Sequence, residues 1–508
     1  MEPTTTSCYL GVDLGTSSVK VVAVDEEAAI VVSATRTYPL HSPESGWVEQ
    51  DPLDWWRATA EAVREVVDEH PELRIAGIGL TGQMHGLVAL DDAGEVVRPA
   101  ILWNDNRTDA QVQEIVERVG GQDRLLALTN NPALAGFTAG KILWLQQCEP
   151  ESFAQVASVL LPKDYLRYRM TGINATDVSD ASGTGLFDVR NRRWSDEMFT
   201  LLGLPRGLMP TVFESSEVTG YLSSATAEEL GLPAGIPVVA GGGDSVLQTT
   251  SMGITQEGAM GITIGTAGIV AQAAEHCPDN VGARVQVSCG NEPGRWHVMG
   301  VALTCGETLL WLTRALSTVK EDLKVADVVR LAESAEPGSQ GLRFAPYLVG
   351  ERCPYPDPGL RAAWFGLDLR HTAADMARAG IEGALLNVRE IRDLFASLGL
   401  QADRVLTSGG AARFPLWKET LSNVLNTRIE FVRGGQGGAA YGAALLAGIG
   451  VGRWRDLDDA LQAVGTEEYT DPNPGIAGLY DNVFREFKAM MAGLAAYRAA
   501  CGQKEMTP

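Results

Sequence analysis

The sequence lacks the residue patterns that mark metal centres and the common nucleophilic enzymes. Its six histidines form no cluster, no Gly-x-Ser-x-Gly motif occurs, and no two cysteines have zinc-ligand spacing. The seven cysteines are odd in number and widely separated, which indicates reduced thiols rather than a disulfide framework. Any catalysis has to come from other groups, and carboxylates are the first candidates.

Basic charge and long apolar runs are also scarce. Lysine and arginine number 41 against 64 aspartate and glutamate residues, and the net charge of −23 disfavours binding to nucleic acid or to an anionic membrane surface. No apolar run approaches the roughly 20 residues that span a bilayer. Residues 1–8 contain no basic segment of the kind that begins a secretory signal, so we expect a cytoplasmic protein.

What is present is the composition of a globular protein, with 508 residues of which 45% are hydrophobic and 21% charged. This length is too great for one hydrophobic core and predicts two domains. Near the N-terminus, three apolar runs separated by turn residues predict antiparallel strands. The helix signal Asp51-Pro52 follows, and residues 74–81 then alternate as a strand that returns to the same sheet.

The second half repeats this pattern. Residues 259–264 and 269–272 predict a hairpin, residues 295–299 a further strand, and residues 307–316 a buried helix. We place the boundary near residues 240–250, which gives domains of 1–244 and 245–508. Because no low-complexity linker separates them, we expect the two domains to pack closely around a shared cleft.

Asp244 is the leading catalytic candidate because of its position. Residues 237–244 form a short apolar run that ends in three glycines and this aspartate, which predicts a buried strand. Such a strand would deliver one carboxylate into a glycine-lined opening, where a catalytic base is expected. The alternative is a carboxylate that caps the following helix through backbone NH groups.

Three glycine-containing turns suit a nucleotide. Residues 13–16 and 264–268 are Gly-Thr hairpin tips, one from each predicted domain, and facing each other they would clamp a polyphosphate. Asp13 in the first tip is placed to hold a hydrated Mg²⁺. Residues 408–411 form a glycine-rich strand-to-helix turn against which an adenine ring would lie. Each turn is also explained by a tight turn without a ligand.

Residues 434–444 begin as a glycine-rich loop and continue as a helix of small residues. Small side chains allow close helix packing, so this segment suits a hinge between the domains. Plain core packing is the alternative.

Together these segments resemble the FGGY carbohydrate kinases, which belong to the superfamily of sugar kinases, actin and the heat-shock chaperone ATPases. One family signature is matched by residues 136–147, and a second begins at residues 362–367 and continues to Glu382, with departures at Cys148 and Gly380. The resemblance extends from about Tyr9 into the final helices. It implies an α/β fold of two ribonuclease-H-like domains around a central cleft, ATP and Mg²⁺ as cofactors, and a small sugar as the second substrate. It is also compatible with a homodimer.

Within the family, the loops at residues 82–86 and 101–108 are most similar to those of members that phosphorylate D-xylulose to D-xylulose 5-phosphate. The resemblance implies that Asp244 is the general base and Asp13 a magnesium-associated carboxylate. Besides Asp244, it implies that the sugar contacts are Met84, His85, Trp103, Asn104 and Ser245, with His85 as a hydrogen-bond donor. The expected nucleotide contacts are Gly15, Thr16, Ser17, Lys20, Gly265, Thr266, Gly306, Gly409, Gly410 and Ala411.

Ser245 departs from the asparagine that usually follows the catalytic aspartate in these D-xylulose-specific members, so the preferred sugar is less firmly predicted than the reaction. A family kinase for ribulose, another ketose, a polyol or glycerol is one alternative. An ATP-gated binding protein of the actin and chaperone kind is a second, and it has no use for a sugar loop at residues 83–85.

Overall fold

The computed structural model describes residues 6–318, 322–432, 437–462 and 466–501. The strands before residue 244 are β1 (Thr6–Leu14), β2 (Ser18–Asp25), β3 (Ile30–Thr37), β4 (Glu49–Gln50), β5 (Leu73–Gly82), β6 (Val88–Leu90), β7 (Ala100–Ile101), β8 (Ser158–Leu160), β9 (Ala175–Asp177), β10 (Phe187–Asp188), β11 (Arg193–Trp194), β12 (Thr211–Phe213), β13 (Val218–Tyr221), β14 (Pro237–Val239) and β15 (Gly242–Gly243). The later strands are β16 (Gly258–Ile264), β17 (Gly268–Ala274), β18 (Gln286–Cys289), β19 (Trp296–Ala302), β20 (Arg343–Ala345), β21 (Ala363–Phe365), β22 (Ala402–Ser408), β23 (Ile429–Val432) and β24 (Thr466–Thr470).

The first ten helices are α1 (Pro52–Glu69), α2 (Asp109–Val119), α3 (Gln122–Thr129), α4 (Thr138–Cys148), α5 (Pro150–Phe153), α6 (Pro162–Thr171), α7 (Val178–Ala181), α8 (Asp196–Leu202), α9 (Ser224–Leu230) and α10 (Asp244–Ser251). The later helices are α11 (Glu307–Ser317), α12 (Val325–Glu333), α13 (Ala373–Ser397), α14 (Pro415–Leu425), α15 (Gly438–Gly450), α16 (Leu457–Leu461) and α17 (Ala477–Ala500). Short 3-10 turns lie at Ser182–Thr184, Arg206–Leu208, Val281–Ala283, Ser339–Gly341 and Ala411–Arg413.

Two mixed sheets of seven strands each organise the described part of the chain. The first has the order β13-β14-β5-β1-β2-β3, with β15 also paired to β5, and the second has the order β18-β19-β17-β16-β22-β23-β24. In both sheets an antiparallel hairpin, β1–β2 or β16–β17, is joined on one side by a further antiparallel strand and on the other by two parallel strands. This duplicated pattern confirms the predicted α/β fold of two related units.

Local signals explain why these elements begin where they do. Helix α1 begins with Pro52, and the Asp51 carboxylate before it accepts a hydrogen bond from the Leu53 backbone NH at 2.9 Å. Trp55 and Trp56 lie on its buried face and pack against the first sheet. The predicted helix at residues 307–316 is α11, where Leu309 and Leu312 are buried.

One predicted element differs from the structure. The strand expected to run from residue 237 to Asp244 ends at Val239 with β14, and the chain pairs with β5 again only at Gly242 and Gly243. Gly241 between them has a positive φ of 79°, which bends the strand. Asp244 is therefore the first residue of α10 rather than the last residue of a strand.

Helix α15 belongs to the C-terminal part of the chain but packs on the first sheet, against β1 and β5. Its side chains join Tyr9 and Val22 in one apolar cluster, while α1 and α6 cover the opposite face of the sheet. Helix α15 follows residue 244 in the chain but packs on the first sheet, so a division at residue 244 would separate it from the sheet that it covers. The domain boundary at this residue therefore stays a prediction. Residues 434–436 of the predicted glycine-rich loop lie outside the described residues.

A large apolar core joins the two halves. It includes Leu143 of α4, Val287 of β18 and Ile262 of β16, which are separated widely in sequence. The Asn131 side-chain amide strengthens this contact, because it donates to the Val287 carbonyl at 2.7 Å and accepts from the Val287 NH at 2.9 Å. Among the described residues, no helix is both long and apolar enough to cross a membrane.

The approach of α15 to β1 predicts that Gly11→Ala destabilises the protein. A Cβ at Gly11 would lie 1.8 Å from the Ala440 carbonyl oxygen, so the helix has to move away from the sheet. We expect the free energy of unfolding to fall by about 3 kcal/mol, measured by denaturant titration. Gly207→Ala is the matched control, since its Cβ would meet no atom within 4 Å. Equal stability of the two variants would contradict the packing described here.

Candidate active site

A cavity of about 460 Å³ opens between the two sheets. Six residues predicted from the sequence line it, namely Asp13, Met84, His85, Trp103, Asp244 and Ser245. Ala267 of the β16–β17 hairpin and Ala439 of α15 also line it, so both halves of the chain contribute. Its volume suits a small polar molecule.

Asp244 enters this cavity from the first turn of α10. Its Oδ1 accepts a hydrogen bond from the Ser245 backbone NH at 2.7 Å, but Gly243 is the N-cap residue of α10, so Asp244 does not make the capping interaction considered above. Burial raises the pKa of the Asp244 carboxyl to about 7, and the negative charge of the nearby Asp13 contributes a smaller part of this rise. A carboxyl with a pKa near neutrality is matched to accepting a proton from a hydroxyl group.

Asp13 lies at the end of β1, opposite Lys20 on β2. Burial raises the pKa of this carboxyl to about 6, against the opposing effect of Lys20. Its Oδ1 is buried and has no hydrogen-bond partner among the described residues. Lys20 Nζ itself donates to the Gly437 carbonyl at 3.4 Å.

The donor set at this position suits Mg²⁺. In the described part of the chain, no group of three or more histidine, cysteine or acidic residues is arranged around a common metal position. Mg²⁺ does not need such a cage, because it is commonly held by one or two carboxylates together with water and substrate phosphates. The unpaired Oδ1 of Asp13 fits that role, and Asp244 adds negative charge on the other side of the cavity.

His85 is held in a defined tautomer. Its Nδ1 lies 2.8 Å from the Gly183 carbonyl oxygen, which can only accept, so Nδ1 carries the proton. Burial, with a smaller effect of the Lys141 charge, lowers the pKa of His85 to about 3, and the ring is neutral. Nε2 is therefore an acceptor, whereas the sequence led us to expect a donor to the sugar.

Two residues that sequence reasoning assigned no role position His85. Phe137 stacks on the imidazole with ring centroids 4.6 Å apart. The buried Lys141 ammonium donates to the His85 carbonyl at 2.7 Å, where the backbone has an unusual positive φ of 69°. Both residues lie within the family signature at residues 136–147, and that signature is the sequence feature from which their role could have been predicted.

The other predicted sugar contacts have different surroundings. The Ser245 hydroxyl donates to Met84 Sδ at 3.0 Å, so its proton is engaged within the protein. The Trp103 ring NH donates to Thr16 Oγ1 at 3.0 Å, which links the sugar loop to the first phosphate turn. Asn104 does not line the cavity, but its Oδ1 is buried and has no hydrogen-bond partner among the described residues.

None of the predicted nucleotide residues lines this cavity, but two groups of them form neighbouring hairpin tips. Gly15 to Ser17 form the β1–β2 turn, where the Gly15 NH donates to the Ser18 carbonyl at 3.0 Å. Gly265 and Thr266 form the β16–β17 turn, and the Gly306 NH donates to the Gly265 carbonyl at 2.9 Å. The lining residues Asp13 and Ala267 come from these two hairpins, so both tips are directed towards the same cavity.

The turn at Gly409 to Ala411 adjoins the second hairpin. Gly409 has a φ of 101°, and a Cβ there would lie 2.5 Å from the Ile264 carbonyl oxygen. Gly410 is exposed, and a Cβ on it would meet no atom within 4 Å. This combination leaves open space beside the backbone at Gly410, where the sequence predicts the adenine ring.

Comparison with known proteins agrees with this geometry. Models of the N-terminal and C-terminal domains of the FGGY family of carbohydrate kinases match residues 8–251 and 260–451. The xylulose kinase of Escherichia coli (strain K12) is 38% identical over 91% of this chain and 93% of its own length.

Solved structures of similar proteins cover nearly the whole chain. A xylulose kinase from Rhodospirillum rubrum superposes with a TM-score of 0.91 at 29% identity, covering 96% of this chain and 99% of that one. A gluconate kinase from Lactobacillus acidophilus superposes with a TM-score of 0.91 at 26% identity, covering 97% of this chain and 99% of that one. Overall shape therefore does not distinguish among sugar substrates.

The environment of His85 predicts that this residue stays neutral, with the proton on Nδ1, between pH 5 and pH 8, since burial lowers its pKa to about 3. Nitrogen NMR of protein labelled at histidine measures both the protonation state and the tautomer. The signal is assigned by its loss in His85→Gln. A His85 resonance that titrates within this range, or one with the proton on Nε2, would show that the Gly183 contact does not control the ring.

Proposed function

The chain belongs to the FGGY family of carbohydrate kinases, and we propose that it transfers the γ-phosphoryl group of ATP to D-xylulose, giving ADP and D-xylulose 5-phosphate. The observation that most supports this proposal is the placement of Asp244. Burial raises the pKa of this carboxyl to about 7, and the carboxyl lines one cavity together with the sugar loop and both phosphate-turn hairpins.

In the proposed reaction, Asp244 accepts the proton of the terminal sugar hydroxyl as that oxygen attacks the γ-phosphorus in line. The Ser245 NH holds Oδ1 of this carboxylate, which fixes its orientation. On the sugar, a second hydroxyl donates to Nε2 of His85. Because the imidazole is neutral, this contact adds no charge next to the reacting group.

Asp13 would hold Mg²⁺ through its unpaired Oδ1, and the bound ion would neutralise phosphate charge. The backbone at Gly15 and Gly265 approaches the phosphate oxygens without side chains in the way, and the Thr16 and Thr266 hydroxyls are available as donors. The transition state of phosphoryl transfer is loose, so positioning contributes most of the rate enhancement. Gly409 and Gly410 hold the adenosine at the far end of the site.

Exclusion of water requires the two halves to close over the sugar. We place the hinge where α10 and α15 pack together, since α10 begins at the boundary between the sheets. Ser251 Oγ of α10 donates to the Gly438 carbonyl at 2.8 Å, at the start of α15. A small rotation about this contact changes the distance between the hairpin tips without breaking either sheet.

The cytoplasmic location and the homodimer stay predictions. All seven cysteines are free thiols, including Cys148 and Cys501 on the surface, which supports a reducing compartment. The non-catalytic alternative is not supported, because an ATP-gated binding protein has no use for the oriented His85.

The second candidate function is phosphorylation of a related sugar. The contact between Ser245 and Met84 is the observation that favours it. The hydroxyl of Ser245 donates its proton to Met84 Sδ, so it offers the sugar an acceptor rather than the donor that an asparagine amide would provide. A sugar that places one more hydroxyl group next to Ser245 would donate a hydrogen bond to the Ser245 hydroxyl oxygen.

The assignment of Asp244 predicts that Asp244→Asn lowers kcat by at least about 100-fold, because the amide cannot accept the proton. Binding of AMP-PNP, measured calorimetrically, is expected to persist. The exposed Asp92→Asn is the matched control and should retain activity. Turnover of Asp244→Asn comparable to this control would refute the base assignment.

The raised pKa of Asp244 also sets the pH dependence. The active carboxylate form is lost as the pH falls through about 7, so kcat/KM of the wild type should decline below this value and level off above it. A coupled ADP-release assay at constant ionic strength measures the profile. A flat profile between pH 5.5 and pH 8 would contradict the environment described for Asp244.

Substrate choice is tested with a panel of D-xylulose, D-ribulose, L-ribulose, glycerol and D-gluconate under identical conditions. We expect the highest kcat/KM with D-xylulose. Ser245→Asn should shift the ranking among the sugars, and Ser245→Ala separates loss of the hydroxyl from gain of the amide. A ranking led by another compound would overturn the assigned substrate while leaving the kinase reaction in place.

A further inference from the structure

A second cavity, of about 310 Å³, adjoins the sugar cavity between the two halves of the protein. The two cavities share five lining residues, namely Leu134, Gln286, Met299, Val301 and Arg352. Gln286 of β18 pairs with Met299 of β19, so neighbouring edge strands form one wall. A ligand in the second cavity would therefore lie beside the sugar rather than beside the nucleotide turns.

Two guanidinium groups line this second cavity, those of Arg284 and Arg352. Within the described ranges, neither side chain forms a hydrogen bond or an ion pair. Arg352 lies in a crowded cleft, where burial lowers the pKa of its guanidinium, yet the side chain remains open to solvent through the cavity. In a protein whose net charge is −23, these unpaired arginines in a cleft indicate a binding site for an anion.

The charge of the neighbouring Glu351 partly opposes the effect of burial on the pKa of Arg352, but Glu351 forms no ion pair with the guanidinium group. Glu351 Oε1 accepts from the backbone NH groups of Leu303 at 2.8 Å and of Arg352 at 2.7 Å, and its Oε2 accepts from the Asn387 amide at 2.7 Å. Burial raises the pKa of Glu351 to about 7, which weakens its negative charge at neutral pH.

No acidic side chain lines the second cavity itself among the residues that the structure describes. On its other side, Arg284 also lines a third cavity that contains Glu390 and Asp393. Glu390 is already engaged there, since Lys488 Nζ lies 2.8 Å from its Oε1.

We propose that the second cavity binds an anionic small molecule through a phosphate group held by Arg284 and Arg352. The planar fork of a guanidinium matches phosphate oxygens, and two unpaired forks facing one cavity supply the charge for a dianion. The volume fits a phosphorylated metabolite smaller than a nucleotide. Because Arg352 lines both cavities, occupancy of this site changes the affinity for the sugar.

This site goes beyond the proposed phosphoryl transfer, and it would exist whichever sugar is the acceptor. Free phosphate and a phosphorylated sugar share the recognising chemistry, so both serve as probes. Each is titrated calorimetrically into enzyme saturated with Mg²⁺ and AMP-PNP, whose phosphates occupy the nucleotide turns. The γ-phosphate of the analogue also opposes entry of a phosphorylated sugar into the catalytic position.

Wild-type enzyme is expected to bind inorganic phosphate at this site, and D-xylulose 5-phosphate more tightly if a sugar phosphate is the natural ligand. Arg284→Gln and Arg352→Gln should each weaken binding at least about tenfold, and the double variant should abolish it. Lysine at either position keeps the charge and should retain part of the affinity. Arg361→Gln, an exposed arginine of the same region, is the control.

Thermal unfolding of every variant verifies that the protein is folded. If a glutamine variant does not fold, the lysine variant at the same position tests the site instead. Absence of saturable phosphate binding to the wild type, or binding unchanged in both glutamine variants, would overturn the proposal. Loss of kinase activity towards every sugar in the panel, with phosphate binding intact, would remove the proposed function and leave this site standing.

Discussion

Helix α15 can lie on the first sheet only because Gly11 and Gly79 present no side chains to it. A Cβ at either glycine would come within 2 Å of a carbonyl oxygen of the helix. Two other elements depend on this contact. β1 carries Asp13 at its end, and α10 packs against α15 and begins with Asp244. The close approach of one helix to one sheet therefore connects the two elements that carry Asp13 and Asp244, although these carboxylates are far apart in sequence.

The two carboxylates are in turn poorly solvated and close enough to influence each other. Burial raises the pKa values of Asp13 and Asp244 to about 6 and about 7 respectively. A buried pair of this kind is costly for the free protein. A cation bound beside the pair would lower this electrostatic cost, which the fold itself imposes.

Much of the architecture could be predicted from local patterns. The hairpins, the helix after Asp51 and the duplicated order of strands all follow from apolar periodicity and turn residues, and Asp244 and the loop at Met84 and His85 were predicted to meet. These features depend on short stretches of chain, where spacing determines which face is buried.

The remaining features depend on contacts between distant segments. The tautomer of His85 is set by the Gly183 carbonyl, which belongs to an unrelated turn. The packing of α15 on the first sheet also has no local signal, because a helix of small residues fits several partners. Arg352 has no signal in the sequence, since an arginine in a loop is ordinary until the folded chain shows that no described side chain pairs with it.

The bond between Trp103 and Thr16 places one side chain in two parts of the site. Trp103 lines the cavity, and its ring NH donates to the Thr16 hydroxyl oxygen in the β1–β2 turn. A displacement of the loop that carries Trp103 is therefore transmitted to the β1–β2 turn, so these two parts of the chain do not vary independently.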